Sequence, residues 1–497
     1  MRARYGSILR QPGAPRLVIT AMIARIPVGI NAIAVVLLVR RATGSFADAG
    51  VVDAGLALGA VLISPGQGRL IDHFGQPRVL IPSAFVSSGA LIGLDVAVHR
   101  HVSIALLTLL AVIGGGALPP MSASMRALWA FLIPEPERRD AAFGFEAITA
   151  ELYFIAGPLI TALIVTVASP SAAVVTSACL TLAGTIAFAT SPASRRWRAA
   201  RAKRTFAGPL AGPGMRTLVL SVVPMGLAFG TLEVAMPALA TRHGHPAYAG
   251  ILMGAFAAGS LIGGLLYGSR SWRGSLGQRY VVLNAMFAAG MAPLIIAGAI
   301  PVMVALMAVA GLTLAPAAAC AYGLIDEVAP PGTTTEAFSW IFTANMVGAA
   351  AGAAAAGAVI HTSSIRAALV IPLCGVGLSF LLALARRRTL VPLPATVAAN
   401  ARAASGRAAS ARAREAAAAT GPTHVAVGSS AAGTDSPVAE HRRAIGLAEG
   451  RRTLSGVMPD RRRTPTFLAA GLVLAAAVLG YRARDGRPDQ HRRTRRR

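Results

Sequence analysis

Long apolar segments, each close to the length of a membrane-spanning helix, alternate with short polar stretches along most of the chain. A helix needs about 20 apolar residues to cross the hydrocarbon core of a bilayer. Six such segments precede a basic stretch, residues 191–214, and six follow it. They lie near residues 17–39, 47–66, 78–98, 103–125, 142–168, 171–190, 216–240, 247–268, 279–300, 302–323, 337–360 and 366–385. The pattern predicts an all-α integral membrane protein with twelve transmembrane helices in two bundles.

The composition supports a membrane protein and argues against a soluble one. Hydrophobic residues make up 55% of the 497 residues, charged residues only 13%, and the mean hydropathy is +0.61. A soluble domain carries about 25% charged residues. The net charge of +27 comes from basic residues in loops and in the last quarter of the chain, next to predicted spans. Because such residues face the anionic surface of a membrane, we expect the lipid bilayer as a partner and no nucleic acid.

Lysine and arginine residues concentrate in alternate loops, and this bias orients the chain. Clusters before the first span, in the basic stretch and after the last span all fall on one side. Since cytoplasmic loops carry the excess of Lys and Arg, we predict a multi-pass protein of the plasma membrane with both termini cytoplasmic. The loop from Asp326 to Glu336 is acidic and falls on the same side, which weakens the bias without reversing it.

These patterns divide the chain into four parts. Residues 1–190 form a first six-helix bundle, residues 191–214 a cytoplasmic linker and residues 215–388 a second six-helix bundle. Residues 389–497 are rich in Ala and Arg with almost no aromatic residues, and we predict a disordered tail. The apolar segment 467–481 is shorter than a full span, so a thirteenth span, an interfacial helix and no function at all are alternatives.

A charged stretch with two glycines, residues 68–78, follows the second predicted span. It cannot lie in hydrocarbon, so we expect a turn at the membrane surface, with Gly68 and Gly75 permitting a tight backbone. Its spacing alone is also consistent with an ordinary cytoplasmic hairpin loop. It resembles the signature loop between the second and third helices of the major facilitator superfamily, and the residues that match are Gly68, Leu70, Asp72 and Gly75. The resemblance extends over roughly residues 15–388.

The resemblance implies two pseudo-symmetric halves that rock about a central site between them. It also implies that Asp72 acts as a latch against the second half, with Arg78 as its partner. Arg126 ends the fourth predicted span and Glu146 begins the fifth, so both would join a cytoplasmic charge cluster with that pair. Residues 264–270, after the second span of the second half, repeat the loop weakly, with Gly268 in place of the acid.

Ionisable residues inside predicted spans are costly in a bilayer and are therefore candidate functional groups. Arg25 and Glu151 lie at similar depths in the first and fifth spans, so we expect an ion pair that either responds to protons or substrate or serves as a static strut. Glu233 has no basic residue three or four positions away, which suits a proton carrier, a site for a cationic substrate, or a neutral helix contact. Asn31 and Asn345 either line a cavity or join helices.

Gly157 and Pro158 in the fifth span resemble part of the antiporter motif of the drug-exporting branch of the same superfamily. A Gly-Pro pair with small neighbours bends a helix and leaves a smooth face for sliding. Two features depart from that branch: Tyr153 stands where the motif begins with Gly, and Leu110 stands where the fourth span of exporters has Arg.

We therefore predict a secondary transporter that exports a small, drug-like organic molecule by alternating access, coupled to protons. Uptake of a sugar or metabolite is the alternative, and a non-transporting scaffold is a third reading. We expect no enzyme activity, no metal site and no cofactor other than the proton gradient, because no span carries converging catalytic groups or a His pair at ligand spacing. We expect a monomer. Cys179, Cys320 and Cys374 lie in apolar segments and are interpreted as small packing residues.

Overall fold

The computed structural model describes residues 11–393, except 12, 101, 134, 201–205, 246, 247, 271, 273 and 298. The arginines before residue 11, Lys203 in the linker, the tail from residue 394 onward and its apolar segment 467–481 lie outside the described residues.

The first half of the described chain consists of seven helices and the second half of eight, with a short helix in the linker. The first set is α1 (Ala14–Thr43), α2 (Phe46–Phe74), α3 (Gln76–His99), α4 (Ile104–Gly116), α5 (Met121–Leu132), α6 (Pro136–Val167) and α7 (Pro170–Ala189). The linker contains α8 (Pro192–Arg196) and a 3₁₀ turn, Gly208–Ala211. The second set is α9 (Pro213–Arg242), α10 (Tyr248–Ser269), α11 (Leu276–Met291), α12 (Ile300–Gly311), α13 (Leu314–Val328), α14 (Thr334–Thr362), α15 (Ile365–Ala368) and α16 (Val370–Ala385).

Two spans are broken near their middles, each close to a proline. The fourth is divided into α4 and α5 at Pro119 and Pro120, and the tenth into α12 and α13 just before Pro316. A proline has no N–H to donate, and its ring collides with the carbonyl four residues earlier. Because the two breaks occupy equivalent places in the two halves, the halves share an internal architecture.

Within the described residues, eleven helical segments are long and apolar enough to cross a membrane. The predicted ninth span, residues 279–300, is the exception: α11 ends at Met291 and continues as a 3₁₀ turn, Ala292–Ile295. Pro293 at this point accounts for the change of helix type. The predicted all-α membrane fold is confirmed, and α11 falls short of the length of a full span.

Small residues bring neighbouring helices into backbone contact. On α2, a Cβ added at Gly59 would overlap the carbonyl of Val112 on α4. On α10, a Cβ added at Gly263 would overlap the carbonyl of Leu312, at the end of α12. Such contacts gain van der Waals energy where lipid provides no hydrophobic drive.

The buried apolar side chains form three clusters, and their distribution shows where the two bundles meet. One cluster belongs to the first bundle and includes Ile30 and Leu91. A second belongs to the second bundle and includes Phe256 and Phe287. The third draws on both bundles and includes Trp129 and Phe338. It lies at the end where α2 turns into α3, which we call the loop end, so the bundles share a core there.

Candidate functional site: the interface between the two bundles

The predicted surface loop is mostly helix, which corrects its interpretation as a turn. Gly68 lies within α2, and only Gly75, with φ of +86°, separates α2 from α3. Gly68 serves close approach instead: a Cβ there would lie 2.7 Å from the Cα of Glu336 on α14. The first glycine of the motif therefore permits contact with the second bundle, and the second glycine makes the turn.

Asp72 caps the beginning of α14 from across the interface. Its Oδ1 accepts a hydrogen bond from the backbone N–H of Thr335 at 3.0 Å, and its Oδ2 accepts one from that of Glu336 at 2.9 Å. The first N–H groups of a helix have no partner in their own helix and carry a partial positive charge, so a buried carboxylate suits them. Arg78, the expected partner, is exposed near the start of α3.

An ion pair that sequence reasoning missed lies beside this cap. Arg69 of α2 binds both carboxylate oxygens of Glu336, with Nε at 3.0 Å and Nη2 at 2.7 Å. It also donates to the carbonyl of Phe206 in the linker at 3.0 Å. The signal for this pair in the sequence is the acidic loop that ends at Glu336, on the same predicted side of the membrane as the basic loops. We call the contacts of Gly68, Arg69 and Asp72 with α14 the α2–α14 joint.

A second set of contacts, which we call the α6 joint, connects α6 to the second bundle. Near the loop end, Asp140 accepts from Arg279 of α11 at 3.1 Å, and Arg139 lies 3.2 Å from Asp326 of α13. Deeper in the interface, the Glu151 carboxylate accepts a hydrogen bond from the Ser260 hydroxyl of α10 at 2.8 Å. The α6 joint therefore places three carboxyl groups between the bundles.

The predicted pairing of Arg25 with Glu151 is wrong, because Arg25 forms a buried ion pair with Glu146. The expected fifth span began at residue 142, whereas α6 begins at Pro136. Arg25 and Glu146 thus lie about 16 Å and about 15 Å along their helices, at matched depth. Glu146 also accepts from the Trp129 indole at 3.3 Å. The helix α6 begins before its hydrophobic segment, and hydropathy alone could not predict this earlier start.

Among the described residues Arg126 forms no ion pair with Asp72 or Glu146, which corrects the expectation of a charge cluster of these residues with Arg78. Its guanidinium lies 3.8 Å from the ring centroid of Tyr322 on α13 and donates to the Tyr322 hydroxyl at 2.9 Å. Phe338 of α14 contributes a second ring at 5.9 Å. A residue of the first bundle is thus held by aromatic rings of the second.

The remaining candidates lie apart from these contacts. Asn31 is buried and accepts from the Ser177 hydroxyl at 2.6 Å, as expected of a residue that joins helices α1 and α7. Gly157 packs against the backbone of Gly29, where a Cβ would lie 2.5 Å from the Gly29 Cα, and Pro158 continues α6 beyond that contact.

Two candidates belong to the second bundle. The backbone of Asn345 packs against Gly226 of α9, and its side chain is half-buried. Glu233 is exposed on α9, and the structure gives it no hydrogen-bond or ion-pair partner among the described residues. The structure does not bring Glu233 into either joint. The two candidate proton carriers therefore differ: Glu151 is half-buried between the bundles, and Glu233 is exposed on α9.

Paired helical bundles with spans broken at equivalent places and charged contacts at one end define a class of polytopic membrane transporters. The sequence profile of the Major Facilitator Superfamily matches residues 17–221 and 218–481. The chain therefore belongs to this superfamily, as the signature stretch indicated. Comparison with curated proteins returns no match.

Solved structures of transporters share the fold. A bacterial homologue of the iron transporter ferroportin in the outward-facing state with soaked iron is 14% identical with a TM-score of 0.63, and the match covers 75% of this chain and 98% of that chain. The human organic anion transporter MFSD10 (TETRAN) is 17% identical with a TM-score of 0.60, covering 75% and 100%. The E. coli fucose:proton symporter FucP (N162A) is 16% identical with a TM-score of 0.58, covering 75% and 98%. At these identities the likeness shows the fold alone.

Proposed function

We propose that this transporter exports a small, drug-like organic molecule across the plasma membrane by alternating access, driven by the proton gradient. The observation that carries the proposal is the hydrogen bond from Ser260 to Glu151, which connects the bundles through a half-buried carboxylate. A group that both titrates and holds the two bundles together can link proton binding to their relative movement. We further propose a monomer with both termini in the cytoplasm.

In this proposal the structure corresponds to the state closed on the cytoplasmic side. The α2–α14 joint, the α6 joint and the shared core all lie towards the loop end, whereas each bundle has its own core towards the other end. Rocking of the bundles would break both joints and expose the central site to the cytoplasm. The separate cores would move as rigid units, because they contain no contact between the bundles.

Protonation of Glu151 would favour this rocking. An ionised carboxylate is a stronger hydrogen-bond acceptor than a neutral carboxylic acid. A proton that arrives from the outer side would therefore weaken the bond to Ser260 and ease separation of α6 from α10. In this step Glu151 carries the proton, while Arg25 and Glu146 keep α1 and α6 together within the first bundle.

Export is placed first because Gly157 and Pro158 resemble the antiporter motif, and because Gly157 sits in direct contact with Gly29, where α1 and α6 can slide. Uptake by proton symport is the alternative, since a fucose:proton symporter has the same fold. A non-transporting scaffold is the third reading and gives no reason for a carboxyl group between the bundles.

The experiment is a substrate screen in cells that lack their own exporters, with and without an uncoupler. Expression should lower the intracellular level of at least one compound, and the uncoupler should abolish this effect. Inverted membrane vesicles should accumulate the same compound when a proton gradient is imposed. Accumulation by intact cells rather than by inverted vesicles would favour uptake. Transport that depends on ATP and resists the uncoupler would contradict proton coupling.

A further inference from the structure

Arg126 is a buried cation without an acidic partner. Only 7% of its surface is exposed, and its Nε has no hydrogen-bond partner in the described part of the chain. Among the residues that the structure describes, no carboxylate oxygen lies within ion-pair distance of its guanidinium. Its contacts are the ring and hydroxyl of Tyr322 and the ring of Phe338. These contacts orient the guanidinium and leave its charge without a counter-ion.

The neighbouring charges do not compensate for Arg126. The charge of Arg25 is already neutralised by its ion pair with Glu146. Tyr153 of α6 is buried close to both arginines and to Tyr322, so all these groups belong to one cluster. Glu151, five residues beyond Glu146, is bound to Ser260 in the α6 joint. The cluster of Arg25, Arg126, Glu146, Tyr153 and Tyr322 therefore carries one positive charge in excess.

A buried charge without compensation is strongly destabilising, so a site that retains one normally meets an anion during its working cycle. Arginine suits this task because its planar fork of N–H groups matches the two oxygens of a carboxylate or a phosphate. The aromatic rings beside it offer apolar surface for the organic part of such a molecule. The cluster also lies between the bundles, with Arg126 on one side and Tyr322 on the other.

We propose that the transported molecule is an organic anion and that Arg126 provides its counter-charge. The negative group, a carboxylate, sulfonate or phosphate, would bind the free edge of the guanidinium, and the Tyr322 and Tyr153 side chains would line the same place. This inference rests on the proposed function and specifies its substrate class. It does not depend on the direction of transport or on the coupling ion.

The test is ligand-induced thermal stabilisation of the purified full-length protein in detergent. The probes are benzoate, salicylate and carboxyfluorescein as anions, benzyl alcohol as a neutral compound, and benzylamine and rhodamine 123 as cations. We expect the anions to raise the unfolding temperature and the others not to do so. Arg126→Gln should weaken anion binding by at least about tenfold. Arg126→Lys, which keeps the charge, should retain part of the binding. Arg366→Gln, which removes an exposed charge, is the matched control and should bind as wild type does.

Tyr322→Phe separates anion binding from a purely structural role. It removes the hydroxyl that accepts from Arg126 but keeps the ring, so anion affinity should stay within about threefold of wild type. If Arg126 only holds the bundles together, Arg126→Gln will leave the preference for anions unchanged, and the inference is overturned. Stabilisation by cations or neutral compounds alone, or by none of the probes, also overturns it. Arg126-dependent anion binding together with anion transport that the uncoupler does not affect would instead refute the proton coupling of the proposed function and leave this inference standing.

Discussion

The two joints between the bundles occupy equivalent positions in the repeated halves, yet they use different chemistry. In each repeat, a glycine on the second span contacts the other bundle: Gly68 meets α14, and Gly264 meets Ile148 of α6. In the first repeat Asp72 then caps a helix end, whereas Gly268 holds that place in the second. There, side-chain pairs such as Asp140 with Arg279 replace the cap. The duplicated halves have kept the contact points and have changed the groups that meet there.

Because their chemistry differs, we expect the two joints to have different roles in transport. The cap at the α2–α14 joint pairs backbone N–H groups, which do not titrate, with the single titratable carboxylate of Asp72, so its strength depends on that carboxylate and on helix geometry. The α6 joint consists of side chains only and includes Asp140, Asp326 and Glu151. Because the α6 joint contains three carboxyl groups and the cap of the α2–α14 joint contains one, we expect the α2–α14 joint to set the conformational balance and the α6 joint to contribute more to proton sensing.

The largest effect should come from Glu151→Gln in the α6 joint. Glutamine keeps a carbonyl oxygen for Ser260 but cannot bind or release a proton, so coupled transport should be abolished while the protein stays folded. Proton-driven accumulation in vesicles and the thermal unfolding temperature measure these two properties. Glu233→Gln is the matched comparison in the other bundle. If Glu233→Gln abolishes coupling and Glu151→Gln does not, the proton does not act at the α6 joint.

Asp72→Asn should have the next largest effect and should act on rate. The variant loses the charge and one of the two acceptors for the α14 amides, and hydrogen bonds to charged groups contribute about 1.5–3 kcal/mol each. We expect turnover to fall by about tenfold or more, with substrate affinity changed by less than about twofold. Turnover and equilibrium binding of the same compound provide the measurement. A variant with weakened binding and normal turnover would exclude the latch role.

Charge reversal at Asp140 and Arg279 should give a moderate and reciprocal effect. Asp140→Arg or Arg279→Asp alone places like charges opposite each other near the loop end. A partly exposed ion pair of this kind contributes about 1 kcal/mol or less to stability. Each single variant should therefore change turnover by a few fold. The double variant should recover most of the loss, because the pair is restored with its polarity reversed. Failure of the double variant to recover would show that the pair does not act as a unit.

The smallest effect should come from Arg69→Gln. The side chain of Arg69 is 43% exposed, so water and salt screen its charge, and the amide of the introduced glutamine still offers an N–H donor to the buried Glu336 carboxylate. Turnover should change by less than about threefold, and the difference from wild type should shrink further at high salt. A loss as large as that of Asp72→Asn would show that the ion pair, rather than the helix cap, holds the α2–α14 joint closed.

The charge of the substrate also bears on the direction of transport. An anion at Arg126 is favoured when Glu151 is neutral, because the two negative groups then do not oppose each other. In that case proton and anion would move together, and the proton gradient would drive uptake. Export of an anion would require Glu151 to release its proton before the anion binds. Measuring anion affinity in wild type and in Glu151→Gln would separate these cycles.

Hydrophobic segments predicted the order and approximate bounds of the spans, and the signature stretch predicted the family and the contact of Asp72 with the second half. The pairing of Arg25 with Glu146 could not be predicted from hydrophobic segments. The helix α6 begins before its apolar segment, which places Glu146 at the depth of Arg25. The contact of Arg126 with Tyr322 joins residues 196 positions apart on different bundles. Periodicity along one helix carries no information about which side chains of another helix it will meet.

The described residues of the linker between the bundles make contacts at the loop end. Trp197 is buried in the shared core, and Arg69 holds the carbonyl of Phe206 while it also binds Glu336. When the bundles part, one arginine must release both the second bundle and the tether. Each opening movement should thus release the backbone at Phe206, and a protease that cuts there would act fastest during turnover.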